Sequence, residues 1–451
     1  MNSIIIKNGW VIDPAQKINS IQDILIQNER IADIGRIESP ADHEIDATGQ
    51  IVCPGFVDIH MHEESFLPAE DRFATSIFEC MLRMGVTTAI GGNCGTGPLN
   101  PADYLECVDR LGLPINFGIQ VPHESLRSQL GADDKYRPMN TEDILGMKKL
   151  ALGYLDQGCL GISLGIRYVP GATPAEWRAL SEAAAEKHAL LSAHIRDDAD
   201  AVYSSTDEFI QLAKTSGCSI QVSHIGSMAG FGQMQSWLEH YDRYRLSGLD
   251  IGADCYPYQA FSTGIGETTY DEGFLERYKI DYSAIEIAEG PHRGERCNEQ
   301  LFYRLRQTEP ELITIAHVMK KEDIDLALTH PAVLLASDGF MRNYQGHPRA
   351  AGTFPRFLHN YAVEKSKLSL SEAIAKMTWL PAQRFGLDSG TLIKGRQADI
   401  VIFNREQLCD RATFAEPALP PEGIRYVIIN GQIAIENQKI ITLRAGNAIR
   451  W

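Results

Sequence analysis

Short apolar segments alternate with helix-like segments from about residue 51 to about residue 388, and this alternation constrains the fold more than any other feature. Helix-like runs such as 175–188 (AEWRALSEAAAEKH) separate the apolar segments. Strand–helix alternation over this length predicts an α/β fold with a parallel sheet, and eight such units predict a (β/α)8 TIM barrel. The eight candidate strands are 51–60, 86–94, 114–123, 158–166, 189–195, 219–225, 250–258 and 332–338.

A ninth apolar segment, 312–318 (LITIAHV), is one more than an eight-stranded barrel needs. We assign it to an insertion at about 262–331, between the seventh and eighth barrel strands. With this insertion, the barrel is predicted to span 54–389.

The two ends of the chain have a different pattern. Residues 3–12 and 425–441 are rich in β-branched apolar residues, and an Asn-Gly dipeptide interrupts each segment. Asn-Gly between apolar runs is the strongest local indication of a β-hairpin, so we expect a hairpin at each end. We therefore predict that 1–53 and 390–451 together form a small β-sandwich domain.

The charge and the cysteines exclude several classes of protein. Lys plus Arg number 42 and Asp plus Glu number 59, and the resulting charge of −17 disfavours binding to nucleic acid or to an anionic membrane. The nine cysteines are scattered without a CxxC pair, which indicates thiols in a reducing compartment. No signal peptide and no membrane-spanning run is visible, so we expect a cytoplasmic protein.

Several candidate strands end in side chains that bind metals. His60 and His62 in the DIHMH motif point to the same face of the first strand, because strand side chains alternate between faces. The carboxyl ends of barrel strands meet at one mouth, where further strand ends should join this pair. The strand-end residues on the fifth, sixth and eighth strands are His194, His224 and Asp338.

Each of these residues also has an ordinary explanation. A lone histidine on an apolar strand is usually a packed core residue, and Asp338 could cap the loop that follows it. Four histidines and an aspartate converging on one mouth favour a metal site. Cys94, in GGNCG, ends the second strand at the same mouth, so we expect a thiolate ligand there and ordinary apolar roles for the other eight cysteines.

Taken together, the motifs resemble the N-acyl-D-amino-acid deacylase (D-aminoacylase) branch of the amidohydrolase superfamily. The likeness runs nearly from end to end and includes the last residues, LRAGNAIR at 443–450. HxH alone is typical of the whole superfamily, whereas NCG with HPRxxGTFPR is much more specific. The motifs are HMH, GGNCG, VPHESLR, GISLGIRYVPG, AHIRDD, SHIG, DCYPY, ASDG and GHPRAAGTFPRFL.

The resemblance implies a zinc enzyme. Cys94, His194 and His224 match the ligands of a tightly bound zinc ion. His60, His62 and Asp338 match a second, weaker metal position, with the cysteine able to bridge the two. The fourth strand offers Ser163 and no lysine for a carboxylated bridge, which is consistent with a bridging cysteine. The implied reaction is hydrolysis of an amide by metal-activated water, with Asp338 as general base and then general acid.

Substrate recognition departs from the family pattern. Family members commonly have a lysine two residues after the sixth-strand histidine, where this chain has Gly226. Arg349 and Tyr258 match family residues credited with contacting the substrate carboxylate, and Tyr168 is a further candidate near the mouth. Arg167 stands where an apolar residue is usual, and we hypothesise that it supplies the missing cation or recognises a second acidic group. A surface arginine paired with a nearby acid is an equally open interpretation.

Three functions remain open from the sequence. The first is hydrolysis of an N-acyl-D-amino acid or a related N-acyl amine, with a small and anionic substrate. The second uses the same metal site on a cyclic amide, as hydantoinases and dihydroorotases do. The third is a metal-binding barrel without catalysis, which the intact set of ligands disfavours. The sequence leaves the oligomeric state open.

Overall fold

Eight parallel strands form a closed barrel in the computed structural model, which describes residues 3–451. The last strand returns to the first: Met61 bridges Gly339 in parallel, and the Asp338 N–H donates to the His60 carbonyl over 2.8 Å. The predicted (β/α)8 TIM barrel is therefore confirmed. The barrel strands are Phe56–Asp58, Val86–Gly91, Asn116–Ile119, Gly161–Gly165, Leu190–His194, Ile220–Val222, Ile251–Cys255 and Val333–Leu335.

Helices follow the barrel strands and pack their apolar faces on the outside of the sheet. Several begin at residues that satisfy the free N–H groups of the first turn; Asn100, for example, accepts from two backbone N–H groups at the start of Pro101–Leu111. The α-helices are Ser76–Arg83, Pro101–Leu111, His123–Gln129, Thr141–Asp156, Pro174–Glu186, Val202–Ser216, Ile225–Ala229, Met234–Leu246, Phe274–Tyr278, Glu299–Thr308, Lys321–Thr329, Arg349–Phe357, Leu370–Met377 and Trp379–Arg384.

The segment that holds the ninth apolar run forms a separate small sheet. Phe261–Gly264, Ile285–Ile287 and Ile313–Ala316 pair as antiparallel strands. Phe302, from the helix Glu299–Thr308, is fully buried in the apolar core of this sheet. The ninth apolar run is thus a strand that lies outside the barrel, and residues of this small sheet line the barrel mouth.

Strands from both ends of the chain join in one mostly antiparallel sheet. An isolated bridge joins Arg30, at the start of the edge strand Arg30–Gly35, to Gln397, just before the strand Ile400–Phe403. The sheet therefore curves around a core of isoleucines that includes Ile6, Ile26 and Ile400. The strands are Ser3–Asp13, Ile18–Gln27, Arg30–Gly35, His43–Asp46, Ile51–Pro54, Ile400–Phe403, Ile424–Ile429, Gln432–Glu436 and Lys439–Ile440. Two further two-stranded ribbons pair Phe66–Leu67 with Arg72–Phe73 and Met341–Arg342 with Gln345–Gly346.

The hairpin expected at Asn8-Gly9 is wrong, whereas Asn430-Gly431 does form a hairpin turn. Ser3–Asp13 is one continuous strand with a register shift between Ile6 and Gly9. Asn8 takes the left-handed conformation of a bulge, at φ 59°. A Cβ at Gly9 would lie 2.4 Å from Cγ2 of Val52, so the glycine permits a close approach within the sheet and does not turn the chain.

Among residues 3–451, no helix is both long enough and apolar enough to cross a membrane.

Candidate metal centre

The barrel mouth brings six metal-binding side chains into two adjoining groups. His60, His62, Cys94 and Asp338 form one group, and Cys94, His194 and His224 form the other. Within each group the candidate ligand atoms lie within 4.8 Å of one another. Cys94 belongs to both, with its Sγ 3.3 Å from Nε2 of His60 and 3.2 Å from Nε2 of His224. All six residues proposed as ligands from the sequence therefore meet at one place.

Three of these residues hold a backbone conformation that side chains normally avoid. The φ angles of Cys94, His224 and Asp338 are 53°, 35° and 49°. Non-glycine residues with positive φ cost of order 1–3 kcal/mol and cluster at functional sites, where surrounding contacts enforce them. At each of these three positions the left-handed backbone directs the side chain from the end of a barrel strand into the mouth of the barrel.

Polar side chains fix the loop that carries Cys94. The amide of Asn93 donates to the carbonyls of Ile90 and Met61, over 2.9 and 3.3 Å. Glu63, directly after His62, accepts the Gly92 N–H over 2.8 Å. The Ser163 hydroxyl accepts the N–H of Gly95 over 3.0 Å, so Ser163 supports the loop that carries the cysteine.

The Asp254 carboxylate contacts one residue of each ligand group. Its Oδ1 lies 3.1 Å from Nδ1 of His60 and also accepts the backbone N–H of His224 over 2.8 Å. Gln221 donates to the other carboxylate oxygen over 2.9 Å. A carboxylate on one ring nitrogen of a metal-binding histidine fixes the ring and leaves the other nitrogen for the metal. The sequence alone did not indicate this role, although Asp254 stands in the DCYPY motif at the end of the seventh strand.

The remaining imidazoles are also oriented. The Ser227 hydroxyl lies 2.9 Å from Nδ1 of His224, which leaves Nε2 directed at Cys94. The Tyr168 ring packs edge-on against His194 at a centroid distance of 4.6 Å. Nδ1 of His194 is buried and has no hydrogen-bond partner among the side chains and backbone of residues 3–451. A buried ring nitrogen without a partner is consistent with a position for a metal ion.

Cys94 and His194 have protonation states that suit metal binding. Burial raises the pKa of the Cys94 thiol, but the His224 and His60 imidazoles outweigh burial and hold this pKa well below its usual value. Burial and the neighbouring His224 lower the pKa of His194 to about 4, so this ring is neutral at pH 7. Burial lowers the pKa of His62, but hydrogen bonding to Asp338 and Cys94 outweighs burial and raises this pKa to about 9, so the ring releases a proton when a metal binds. A thiolate and neutral imidazoles are the forms that ligate metals, and the combination of sulfur and nitrogen ligands is the one that zinc prefers.

Asp338 stays ionised beside this cluster. Burial opposes ionisation, but Arg349 and His224 outweigh it and hold the pKa of the Asp338 carboxyl well below its usual range. Its Oδ1 lies 3.3 Å from Nε2 of His62, and its Oδ2 lies 2.8 Å from Nη1 of Arg349. One oxygen therefore faces the ligands and the other faces an arginine.

A cavity of about 860 Å³ opens above the cluster. This volume is near the upper end of the roughly 300–1,000 Å³ typical of ligand sites. His62, Cys94, His194, His224 and Asp338 lie on its surface, together with side chains from the loops after the first two strands and from the small antiparallel sheet. The candidate ligands thus lie at the bottom of an accessible pocket.

The four predicted substrate-binding residues divide into two pairs. Arg349 and Tyr168 line the cavity. The Tyr258 hydroxyl donates to the Pro348 carbonyl over 3.3 Å, and this side chain does not line the cavity. Arg167 also lies outside the lining, where its Nη1 is 2.6 Å from Asp197. Arg167 is thus paired with a nearby acid, as in the second interpretation of its role.

Comparison with known proteins places this geometry in a family. Models of the amidohydrolase family match residues 51–220 and 306–435. N-acyl-D-glutamate deacylase of Alcaligenes xylosoxydans xylosoxydans is 32% identical, with 99% of this chain and 96% of that protein covered. The chain belongs to the amidohydrolase family, in its N-acyl-D-amino-acid deacylase branch.

Solved structures of the family agree. N-acyl-D-glutamate deacylase from Bordetella bronchiseptica, complexed with zinc and a phosphonate mimic of the tetrahedral intermediate, matches with a TM-score of 0.88, 30% identity and 99% coverage of both chains. A crystal structure of D-aminoacylase matches with a TM-score of 0.89, 26% identity and the same coverage. Cyclic-amide hydrolases are more distant: a dihydroorotase from Aquifex aeolicus is 24% identical over 92% of both chains.

Proposed function

We propose that this protein is a zinc-dependent hydrolase of N-acyl-D-amino acids. The observation that carries the proposal is the pair of ligand groups sharing Cys94, set at the bottom of a cavity beside an ionised Asp338 and a buried Arg349. The full-length likeness to an N-acyl-D-glutamate deacylase supports the same substrate class. Cys94, His194 and His224 would hold the tightly bound ion, and the other group a second, weaker one.

Zinc at this position supplies a Lewis acid that polarises a carbonyl and acidifies water toward a pKa of about 7. Asp338 accepts the proton of the attacking water through the oxygen that faces His62. It then returns that proton to the nitrogen of the scissile amide, which leaves as an amine. Because the pKa of Asp338 is low, the carboxyl group is ionised at neutral pH and is free to accept a proton.

Arg349 is the candidate anchor for the substrate carboxylate. Its side chain is 2% exposed, and its guanidinium lies over the Tyr256 ring at 4.6 Å. Stacking and the Asp338 pair hold the guanidinium plane in one orientation, while the side chain remains part of the cavity lining. Arginine binds carboxylates through paired N–H groups, so a fixed guanidinium sets where the amino-acid part of the substrate lies.

The nine cysteines are all free, and this supports a reducing, cytoplasmic location for the protein.

The substrate and the role of Asp338 are tested together with the full chain loaded with zinc. We expect hydrolysis of N-acetyl-D-amino acids and at least about 100-fold lower kcat/KM for their L-enantiomers and for hydantoins. Asp338→Asn should keep zinc at the Cys94–His194–His224 position and lose at least about 100-fold in kcat, because the proton carrier is absent. Zinc content by elemental analysis separates the two effects. Unchanged hydrolysis by the variant would contradict the assigned role.

A further inference from the structure

The charged side chains on the cavity surface are predominantly acidic. The two arginines that line the cavity are Arg342 and Arg349. The acids on the same surface are Glu63, Glu64, Asp103, Asp198, Glu267, Glu311 and Asp338. Away from the metal ligands, a second carboxylate on a ligand therefore meets more acids than bases on this surface.

The arginines on this surface are both paired with acids. Arg349 pairs with Asp338 at 2.8 Å, and Arg342 pairs with Glu289 at 3.1 Å while its side chain is 45% exposed. Arg349 is also the group proposed to receive the α-carboxylate. Arg342, at the rim, is therefore the arginine of the lining that is free of the α-carboxylate and could contact a second carboxylate of the ligand.

Cations just behind the cavity surface are also paired with acids. Lys135 lies 3.3 Å from Glu267, and Arg277 lies 2.9 Å from Asp198. Both of these acids line the cavity, so they stand between the two cations and a bound ligand. Arg167, as described, pairs with Asp197.

Position 226 does not offer a place for a cation either. A Cβ added to Gly226 would lie 2.8 Å from Cδ1 of Ile324 and 3.0 Å from Sγ of Cys255. A side chain at this position would therefore begin in packed apolar surroundings, and Gly226 is not part of the cavity lining. The glycine is accounted for by packing, so no compensating arginine is required.

Aromatic side chains provide the rest of the contact surface. Phe261 and Tyr278, whose rings are 5.6 Å apart, line the cavity from the small antiparallel sheet and the helix that follows it. Phe340 and Tyr168 line it from the loops after the eighth and fourth strands. Aromatic faces give large favourable contact with an apolar group.

We propose that the enzyme selects N-acyl-D-amino acids with neutral, apolar side chains and discriminates against those with acidic side chains. This inference rests on the proposed function and narrows its substrate class. The α-carboxylate binds Arg349, the apolar side chain contacts the aromatic surface, and a second carboxylate loses its hydration among acids without gaining a cation. The chain therefore differs in side-chain preference from the N-acyl-D-glutamate deacylase to which it is 32% identical.

The test compares kcat/KM of the zinc-loaded full chain for N-acetyl-D-leucine, N-acetyl-D-methionine and N-acetyl-D-phenylalanine with that for N-acetyl-D-glutamate and N-acetyl-D-aspartate. We expect the apolar substrates to be favoured at least about tenfold. Equal or better turnover of the acidic substrates would overturn the inference.

Binding of the same compounds to zinc-loaded Asp338→Asn is measured by calorimetry. A preference for apolar compounds in binding, without hydrolysis by the unsubstituted enzyme, would contradict the proposed function and retain the inference.

Two substitutions and one control variant test the role of charge in this selection. Glu267→Gln removes the acid that covers Lys135, and should raise kcat/KM for N-acetyl-D-glutamate relative to N-acetyl-D-leucine about fivefold. Glu106→Gln, an equal change at an exposed residue outside the cavity lining, should leave that ratio unchanged. Arg342→Gln should keep the order of preference. Selective loss of N-acetyl-D-glutamate turnover in Arg342→Gln would identify this arginine as a receptor for the second carboxylate and contradict the inference.

Discussion

Asp254 contacts both metal-binding groups without belonging to either. One of its oxygens holds the His60 ring and the His224 backbone N–H, so it fixes the spacing between a ligand of each group. The side chain is only 2% exposed and cannot exchange these contacts for water. Its effect on the site is therefore through position, and metal affinity is the property that should report it.

Asp254→Asn tests this positioning role. We expect zinc affinity to fall about 10- to 100-fold, because the amide either loses the charge that orients His60 or presents an N–H to a donor. Competition with a fluorescent zinc chelator measures the affinity. The matched control is Asp250→Asn, directly before the same strand, where the side chain is largely exposed and pairs with Arg384. Wild-type affinity in Asp254→Asn would refute the role.

The element that matters most for the site is the loop between the second barrel strand and the helix Pro101–Leu111. It places Cys94 at a left-handed backbone position, and Glu63 from the neighbouring loop holds it there. A Cβ at Gly91 would lie 2.1 Å from Oε2 of Glu63 and 2.6 Å from Cζ of Phe117. Gly91, three residues before the cysteine, is therefore required by the close approach of these two side chains.

Gly91→Ala should displace this loop. We expect a loss of about 1–3 kcal/mol in the free energy of unfolding and a reduced zinc content, because the overlap with Phe117 and Glu63 forces the strand end outward. Urea unfolding with elemental analysis measures both. Gly153→Ala is the control: this residue lies inside the helix Thr141–Asp156 with open space around it, and alanine there should stabilise by up to about 1 kcal/mol.

These elements show why some features follow from the sequence and others do not. His60, His194 and Asp338 are predictable because parallel strands place their carboxyl ends at one mouth, whatever the details of packing. The contacts of Asp254 and Glu63 depend on which side chains meet across the barrel, and local patterns do not contain that information. Local patterns also do not predict the bulge at Asn8 or the pairing of Arg167 with Asp197, because each depends on a neighbour that is distant in sequence.

At the scale of the whole molecule, a buried polar network joins the terminal sheet to the barrel. Asn116, at the start of the third barrel strand, accepts from the Asn430 side chain over 2.7 Å and donates to Asp399 over 3.0 Å. Asn116 also accepts the backbone N–H of Asn447 over 3.0 Å. One side chain thus contacts three separate segments of the C-terminal region.

Asn116→Ala should weaken the whole fold while leaving the metal site intact. We expect a loss of about 2–4 kcal/mol in the free energy of unfolding, because several buried donors and acceptors lose their partner. Calorimetric Tm and zinc content are the two measurements. Asn19→Ala, on the strand Ile18–Gln27 where the exposed side chain accepts from Nε1 of Trp10 at the surface, should change stability by less than about 0.5 kcal/mol.

The terminal sheet also sets an order of events during synthesis. Ile51–Pro54 pairs with Ile400–Phe403, so the edge of the N-terminal strands waits for its partner while 345 intervening residues, 55 to 399, are made. At roughly 5–20 residues per second this wait is on the order of 17–70 s. An unpaired strand edge of this kind can pair with another chain in the meantime. The nascent protein is therefore most exposed to aggregation before its terminal sheet is complete, and chaperone protection in that interval should raise the yield of active enzyme more than protection after release.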